Sequence, residues 1–288
     1  MRTKDNGVWA GIRSSEWLLL IYFSYTALLA VVFDSARSRL EVAVSLPLVL
    51  GLLVFAGSRS NWRAVSIFRD WLALALVLVA YQEMDWFRLP HRRYVLEHRW
   101  VVWDKLLLNW GVREAIEYFG ALLPSVLELS YLLTYAIPPL SIAVLYIYHR
   151  RERVDQFLFT FLLGTLLTYA LLPYFPSDPP RLVFPGQDLP HVSTLLGRLN
   201  IWIFDHCDIR SSVFPSGHVT AAFSAAFAML LTLPEKKWLG WMLFLLAVSI
   251  GITTVYARYH YAVDGLAGLV VSLIALGVSA ALPGDRKF

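Results

Sequence analysis

Two histidines, an aspartate and an arginine stand out in a chain that otherwise makes sparing use of charge. His218 closes the run Phe214-Pro215-Ser216-Gly217-His218, directly before a long apolar stretch. Pro215 presets a helical φ and suits a first turn, while Ser216 and Gly217 let backbone N–H groups come close to a ligand. A helix opening in this way is an anion site, and His218, one turn in, adds a group that carries a proton near neutral pH. Taken alone, the pentapeptide equally describes a Pro/Gly helix cap with a surface histidine. His260 and Asp264 are four residues apart, a spacing that on a helix sets both side chains on one face. The carboxylate can then hold one imidazole nitrogen as N–H and leave the other as a nucleophile, although the pair alone also fits a cap or half a metal site. Arg181 follows the turn Phe175-Pro176-Ser177-Asp178-Pro179-Pro180. Together these groups suit phosphoryl transfer, in which one histidine attacks, the other protonates, and arginine and backbone amides hold the charge.

Elements able to bring these clusters together must cross a membrane. Of 288 residues 58% are hydrophobic and 16% charged, and the apolar runs approach the roughly 20 residues that a helix needs to span a bilayer. The net charge of +4 is spread through loops, which argues against a nucleic-acid surface. The single cysteine, Cys207, excludes an intramolecular disulfide. Eight spans are expected: about 17–33, 42–56, 71–86, 126–148, a fifth ending near Tyr174, a sixth from Pro215, 238–256, and an eighth opened by Arg258 to Asp264 and ending near Leu282. The first has no convincing cleavage site after it and reads as an uncleaved anchor. Pro138-Pro139 should kink the fourth. The sixth is rich in small residues, Ala221 to Ala228, and belongs at the centre of the bundle.

Between the third and fourth spans, a charged, tryptophan-rich segment places Val112, Ala115, Ile116 and Phe119 at helical spacing, as in an interfacial amphipathic helix. Val192, Leu195, Leu196, Leu199 and Ile203 mark a second such face, which lays this loop on the membrane as a lid or entrance. Basic residues (Arg2, Lys4 and Arg13; Arg59, Arg63 and Arg69; Arg150, Arg151 and Arg153; Lys236 and Lys237; Arg286 and Lys287) all fall on one side of an eight-span topology. The positive-inside rule makes that side, with both termini, cytoplasmic. Arg181, His218, His260 and Asp264 then converge on the extracytoplasmic or lumenal face. The expected architecture is an all-α polytopic bundle with interfacial helices on that face. Residues 1–69 would form an N-terminal membrane hairpin and linker, and residues 70–288 a six-span catalytic core.

Phe214 to His218 together with His260-Tyr261-Ala262-Val263-Asp264 resembles the type 2 phosphatidic acid phosphatase superfamily of membrane phosphatases and phosphotransferases, in motif order and spacing over roughly residues 70–282. The resemblance implies that His260 is the nucleophile of a phosphohistidine intermediate, Asp264 its orienter and His218 the acid for the leaving alkoxide. Ser216, Gly217 and Arg181 would bind phosphate oxygens, with no metal and no cofactor. The substrate would be a phospholipid and the acceptor a lipid alcohol or water. The chain departs from the superfamily pattern at Tyr174, where a lysine is usual, at Leu182 in place of proline, and at Thr254 in place of arginine. Without those two cations, the pattern from Tyr174 to Arg181 looks more like the inositol phosphorylceramide synthase branch, which moves a phospholipid headgroup onto a lipid alcohol.

Arg258 could replace a missing cation as a further phosphate ligand, or act as an interfacial anchor snorkelling to the headgroups. Two other classes compete with the enzyme: a lipid-binding or transport protein that lost its chemistry with the cations, which retention of His218, His260 and Asp264 argues against, and a haloperoxidase, whose relatives resemble soluble proteins. His206-Cys207-Asp208 reads as loop polarity rather than a metal site. Glu83, Asp85 and Glu128 read as span-end residues able to meet headgroups.

Overall fold

In a computed structural model, which describes residues 11–32, 36–59, 62–87, 94–207, 209 and 212–282, the chain is an all-helical bundle with no strand among the described residues. Arg2, Lys4, Asp34, Asp208, Arg286 and Lys287 lie outside them. The helices are α1 (Ser14–Val32), α2 (Ala36–Ser58), α3 (Arg63–Glu83), α4 (Val95–Leu107), α5 (Arg113–Glu117), α6 (Leu122–Leu132), α7 (Ile137–Ile147), α8 (Val154–Leu171), α9 (Pro180–Val183), α10 (Leu195–Cys207), α11 (Gly217–Thr232), α12 (Lys237–Tyr256) and α13 (Ala262–Ala281).

Five segments are long and apolar enough to cross a membrane: Ser14–Val32, Arg63–Phe87, Arg151–Tyr174, Pro234–Tyr256 and Ala262–Ala281. A sixth would be the pair formed by Val95–Glu117 and Leu122–Tyr135, which is bent by 107°. The apolar stretch Val44–Ser58 of α2, together with α7 and α11, is shorter than a full crossing. The expected fourth span is thus not one kinked helix. It breaks at the turn Leu133–Tyr135, and the two prolines fall in the first turn of α7, where a missing N–H costs nothing.

α11 packs against α8, α12 and α13 in the middle of the bundle. Two glycines permit close approaches to α11 and its N-cap. A Cβ on Gly164 of α8 would lie 2.1 Å from Ser224 Oγ, and one on Gly268 of α13 would lie 2.8 Å from the Ser216 carbonyl and 2.9 Å from Thr220 Oγ1. In lipid, where burial of apolar area does not drive helices together, such close packing holds the contact. α1 and α3 pack on α8, so Leu19, Phe23, Leu76 and Phe157 share one apolar cluster with Phe223 of α11.

Basic residues from three segments gather at one end. Arg13 and Arg151 both reach Asp70, at 2.5 and 2.9 Å; Arg69 pairs with Glu16 at 2.6 Å; and Arg150 and Arg153 pair with Glu235 at 2.5 and 3.0 Å. The helices carry the histidines to the opposite end.

Candidate active site

α13 does not begin where the spacing of His260 and Asp264 suggested. Its first residue is Ala262, with Tyr261 as an extended N-cap, so His260 lies on the turn before the helix. The two side chains still meet, because the N-cap folds the chain back over the first turn: Asp264 Oδ2 accepts the Tyr261 N–H at 2.9 Å and faces His260 Nδ1 at 3.4 Å. His260 Nδ1 is also 3.0 Å from the carbonyl oxygen of Val213. Both neighbours of Nδ1 are acceptors, so the hydrogen belongs on Nδ1 and the Nε2 lone pair is bare.

The start of α11 also differs from the expectation. Phe214–Pro215 is a cis peptide, Ser216 is the N-cap, and His218 is the second helical residue rather than one turn in. Ser216 ties α11 to α13: its Oγ accepts the Val219 N–H at 3.4 Å, and its N–H donates to the Asp264 carbonyl at 3.0 Å. The N–H groups of Gly217 and His218 open the helix and have no intrahelical acceptor, which leaves them to an anion.

His218, Gly217, Arg181 and His260 line one cleft together with Val213, Pro215 and the aromatic rings of Tyr81, Tyr131, Tyr169, Phe204 and Tyr259. The centroids of the two imidazoles are 6.2 Å apart. His218 is held from the break between α6 and α7: Tyr131 stacks on it at 4.6 Å, and Tyr135 Oη lies 3.0 Å from Nε2.

Arg181, on α9, brings the cation. Its guanidinium lies 4.4 Å from the centroid of Phe204 and 5.9 Å from that of Tyr259. Tyr259 Oη in turn donates to Glu128 at 2.8 Å, and Asn200 Nδ2 donates to the same carboxylate at 2.7 Å. Glu128 and Glu83 are both buried rather than at a headgroup surface. α10 forms over the cleft: Asn200 and Phe204 are buried, whereas Leu195 and Leu199 of its apolar stripe are exposed.

Arg258 does not join the cleft. Tyr256 ends α12 and Arg258 adopts φ +61°, which turns its side chain towards α4, where Nη1 donates to Asp104 Oδ2 at 2.7 Å. It is wholly buried, so it is no snorkelling anchor either. The other Asp104 oxygen accepts the N–H of Ala262 at 2.9 Å, so one carboxylate holds both ends of the turn that carries His260. The positions where the superfamily has its further cations are neutral: Tyr174 Oη lies 3.3 Å from Tyr25 Oη, and Thr254 Oγ1 donates to the Gly251 carbonyl. Among the described residues no three His, Cys, Asp or Glu side chains are grouped to hold a metal.

Sequence reasoning passed over Asp104, Val213, Tyr131 and Tyr135. Only the last pair left a signal, two aromatic residues one helical turn apart just ahead of the double proline. Asp104 carries none, because a carboxylate in a charged, tryptophan-rich segment reads as solvated.

Residues 106–278 match the profile of the PAP2 superfamily. The chain belongs to that superfamily. It is 28% identical over 131 residues to a PA-phosphatase related-family protein of Dictyostelium discoideum, covering 43% of this chain and 23% of the relative. It is 36% identical over 61 residues to an undecaprenyl-diphosphatase of Bacillus subtilis, covering 21% of this chain and 30% of that protein. The chain thus spans less than a third of the length of either relative. No solved structure matches it.

Proposed function

We propose that the protein is an integral membrane lipid phosphatase or phosphotransferase working through a phosphohistidine on His260. The observation that carries this reading is the placement of His260 Nδ1 between two acceptors, Val213 O and Asp264 Oδ2, which leaves Nε2 as a nucleophile in a cleft with Arg181 and the first amides of α11. Nε2 attacks the phosphorus of a lipid phosphate ester and the P–O bond to the leaving alcohol breaks. His218 supplies the proton to that oxygen, while Arg181 and the N–H groups of Gly217 and His218 bind the equatorial oxygens. Asp264 and the Val213 carbonyl stabilise the charged phosphoimidazole ring. Arg258 acts on the turn through Asp104 and not on phosphate.

In the second half, water or a lipid alcohol attacks the phosphohistidine and gives its proton to the now neutral His218. Aromatic walls and a single lining arginine suit a lipid alcohol, as in the inositol phosphorylceramide synthase-like branch, and the names of the two relatives support hydrolysis of lipid phosphates. The clustered arginines at the opposite end support cytoplasmic termini and an extracytoplasmic or lumenal site.

Purified protein incubated with phosphate-labelled phospholipids and quenched in base should retain an acid-labile label in the wild type, none in His260→Ala, and label from a substrate with a good leaving group in His218→Ala. Turnover at the wild-type rate by His260→Ala would sink the mechanism. Mass spectrometry of products with and without added lipid alcohol separates transfer from hydrolysis.

A further inference from the structure

The acid histidine already has a hydroxyl partner at Nε2. That nitrogen lies 3.0 Å from Tyr135 Oη, while Tyr131 stacks on the imidazole at 4.6 Å and 25°, which restrains the plane of the ring. Tyr131 is buried, whereas Tyr135 is 50% exposed. Both come from the segment where the fourth apolar run breaks, and the turn Leu133–Tyr135 sets the second tyrosine at the rim. An in-line reaction expels its alcohol on the side of phosphorus opposite His260, and an acyl-bearing alcohol must leave towards lipid, past that rim.

We infer that Tyr135 is the last proton donor of the acid path, a catalytic residue between His218 and the leaving oxygen; this rests on the phosphohistidine reading above. As the P–O bond breaks, its electron pair on the alkoxide oxygen takes the Tyr135 hydroxyl proton. The Tyr135 oxygen takes the proton from His218 Nε2, and His218 is left neutral. The second half runs in reverse: the entering water or alcohol gives its proton to Tyr135 as the Tyr135 proton passes to His218. No charge rests on the phenol at either stage, so a group whose ordinary pKa is near 10 can serve at neutral pH.

The test is the rate of phosphoenzyme formation by the full chain in detergent–lipid micelles, in a single turnover, with two probes. Phosphatidic acid has a poor alkoxide leaving group, whereas 4-nitrophenyl phosphate has one that needs no proton. Tyr135→Phe keeps the ring and removes the hydroxyl. It should slow phosphorylation by phosphatidic acid by about 10–100-fold, within the range that general acid catalysis supplies, and change the 4-nitrophenyl phosphate rate by less than about twofold, since that step bypasses the acid. His218→Ala should show the same split, and the double variant should be no slower than His218→Ala.

An equal loss with both probes would mean that Tyr135 only supports the fold, and an unchanged phosphatidic acid rate would remove it from the acid path. Either result overturns the inference while leaving His260 as nucleophile. Retained turnover in His260→Ala would instead fell the parent reading, and this inference with it.

Discussion

The turn that carries His260 is tethered by one carboxylate, and removing it is the sharpest test of how the site is built. Asp104 and Arg258 are 2.7 Å apart with side-chain exposures of 1% and 0%. Asp104→Ala leaves a guanidinium buried with no counter-charge. Its Nη1 loses its partner, and Nε and Nη2 have none to begin with. Breaking a buried ion pair from one side costs about 3–5 kcal/mol, a large share of a total stability of order 5–15 kcal/mol. Loss of the acceptor for the Ala262 N–H adds about 1 kcal/mol. At roughly 2–4 °C per kcal/mol, the melting temperature in detergent should fall by about 8–24 °C.

The same arithmetic gives a different result when both partners go. Asp104→Leu/Arg258→Met removes the charges together, and replacing a buried pair by apolar residues is often neutral, so only the Ala262 term should remain, a fall of about 2–4 °C. Thermal unfolding followed by tryptophan fluorescence, at fixed lipid and protein concentration, reads both variants. A single variant that melts within 2 °C of wild type, or a double variant as unstable as the single, would refute the view that this pair is buried and fastens the turn.

Two further outcomes follow from the packing and the topology. Gly268→Ala puts a methyl against the Ser216 carbonyl, the N-cap of the helix that carries His218. It should cost about 1–3 kcal/mol, seen as a lower melting temperature together with a reduced phosphorylation rate, whereas an unaltered rate and melting temperature would show that α13 and α11 have slack there. In a Cys207→Ser background, a cysteine at the exposed Gln187, in the loop after α9, should react with an impermeant thiol reagent from outside intact cells, and one at the exposed Lys237 should not. The reverse pattern would place the site in the cytoplasm.

Which residues meet at the cleft was more legible in the sequence than the geometry that brings them together. His218, His260, Arg181 and Gly217 line it and Asp264 faces His260, because motif residues keep their type and spacing even when the local conformation is misjudged. His260 and Asp264 meet through an N-cap and not along a helix face, so the right contact followed from the wrong conformation. Arg258 could not be placed, because its direction depends on a left-handed residue after α12 that no spacing reveals. The buried face of α10 was not legible for a different reason. In a membrane the apolar face of a helix is free to meet lipid, while a polar residue such as Asn200 seeks a buried partner, the inverse of the rule for a soluble protein. The break in the fourth run was visible as Pro138-Pro139 but was expected three residues too late, since prolines sit comfortably in the turn that starts a helix.

α11 has 16 residues, an axial rise of about 24 Å against a hydrocarbon core near 30 Å. Its far end is fixed, because the Thr232 carbonyl accepts Arg153 Nη1 at 2.7 Å among the clustered arginines. With that end at one headgroup plane, the whole shortfall of roughly 6 Å falls at the other, where Gly217 and His218 stand. On the proposed reaction, a lipid phosphate must therefore sink below its own headgroup plane, or the bilayer must pinch inwards, before the reacting atoms meet. Membrane thickness thereby becomes a kinetic variable: longer acyl chains in the surrounding bilayer raise the work of bringing substrate to histidine although no residue has changed.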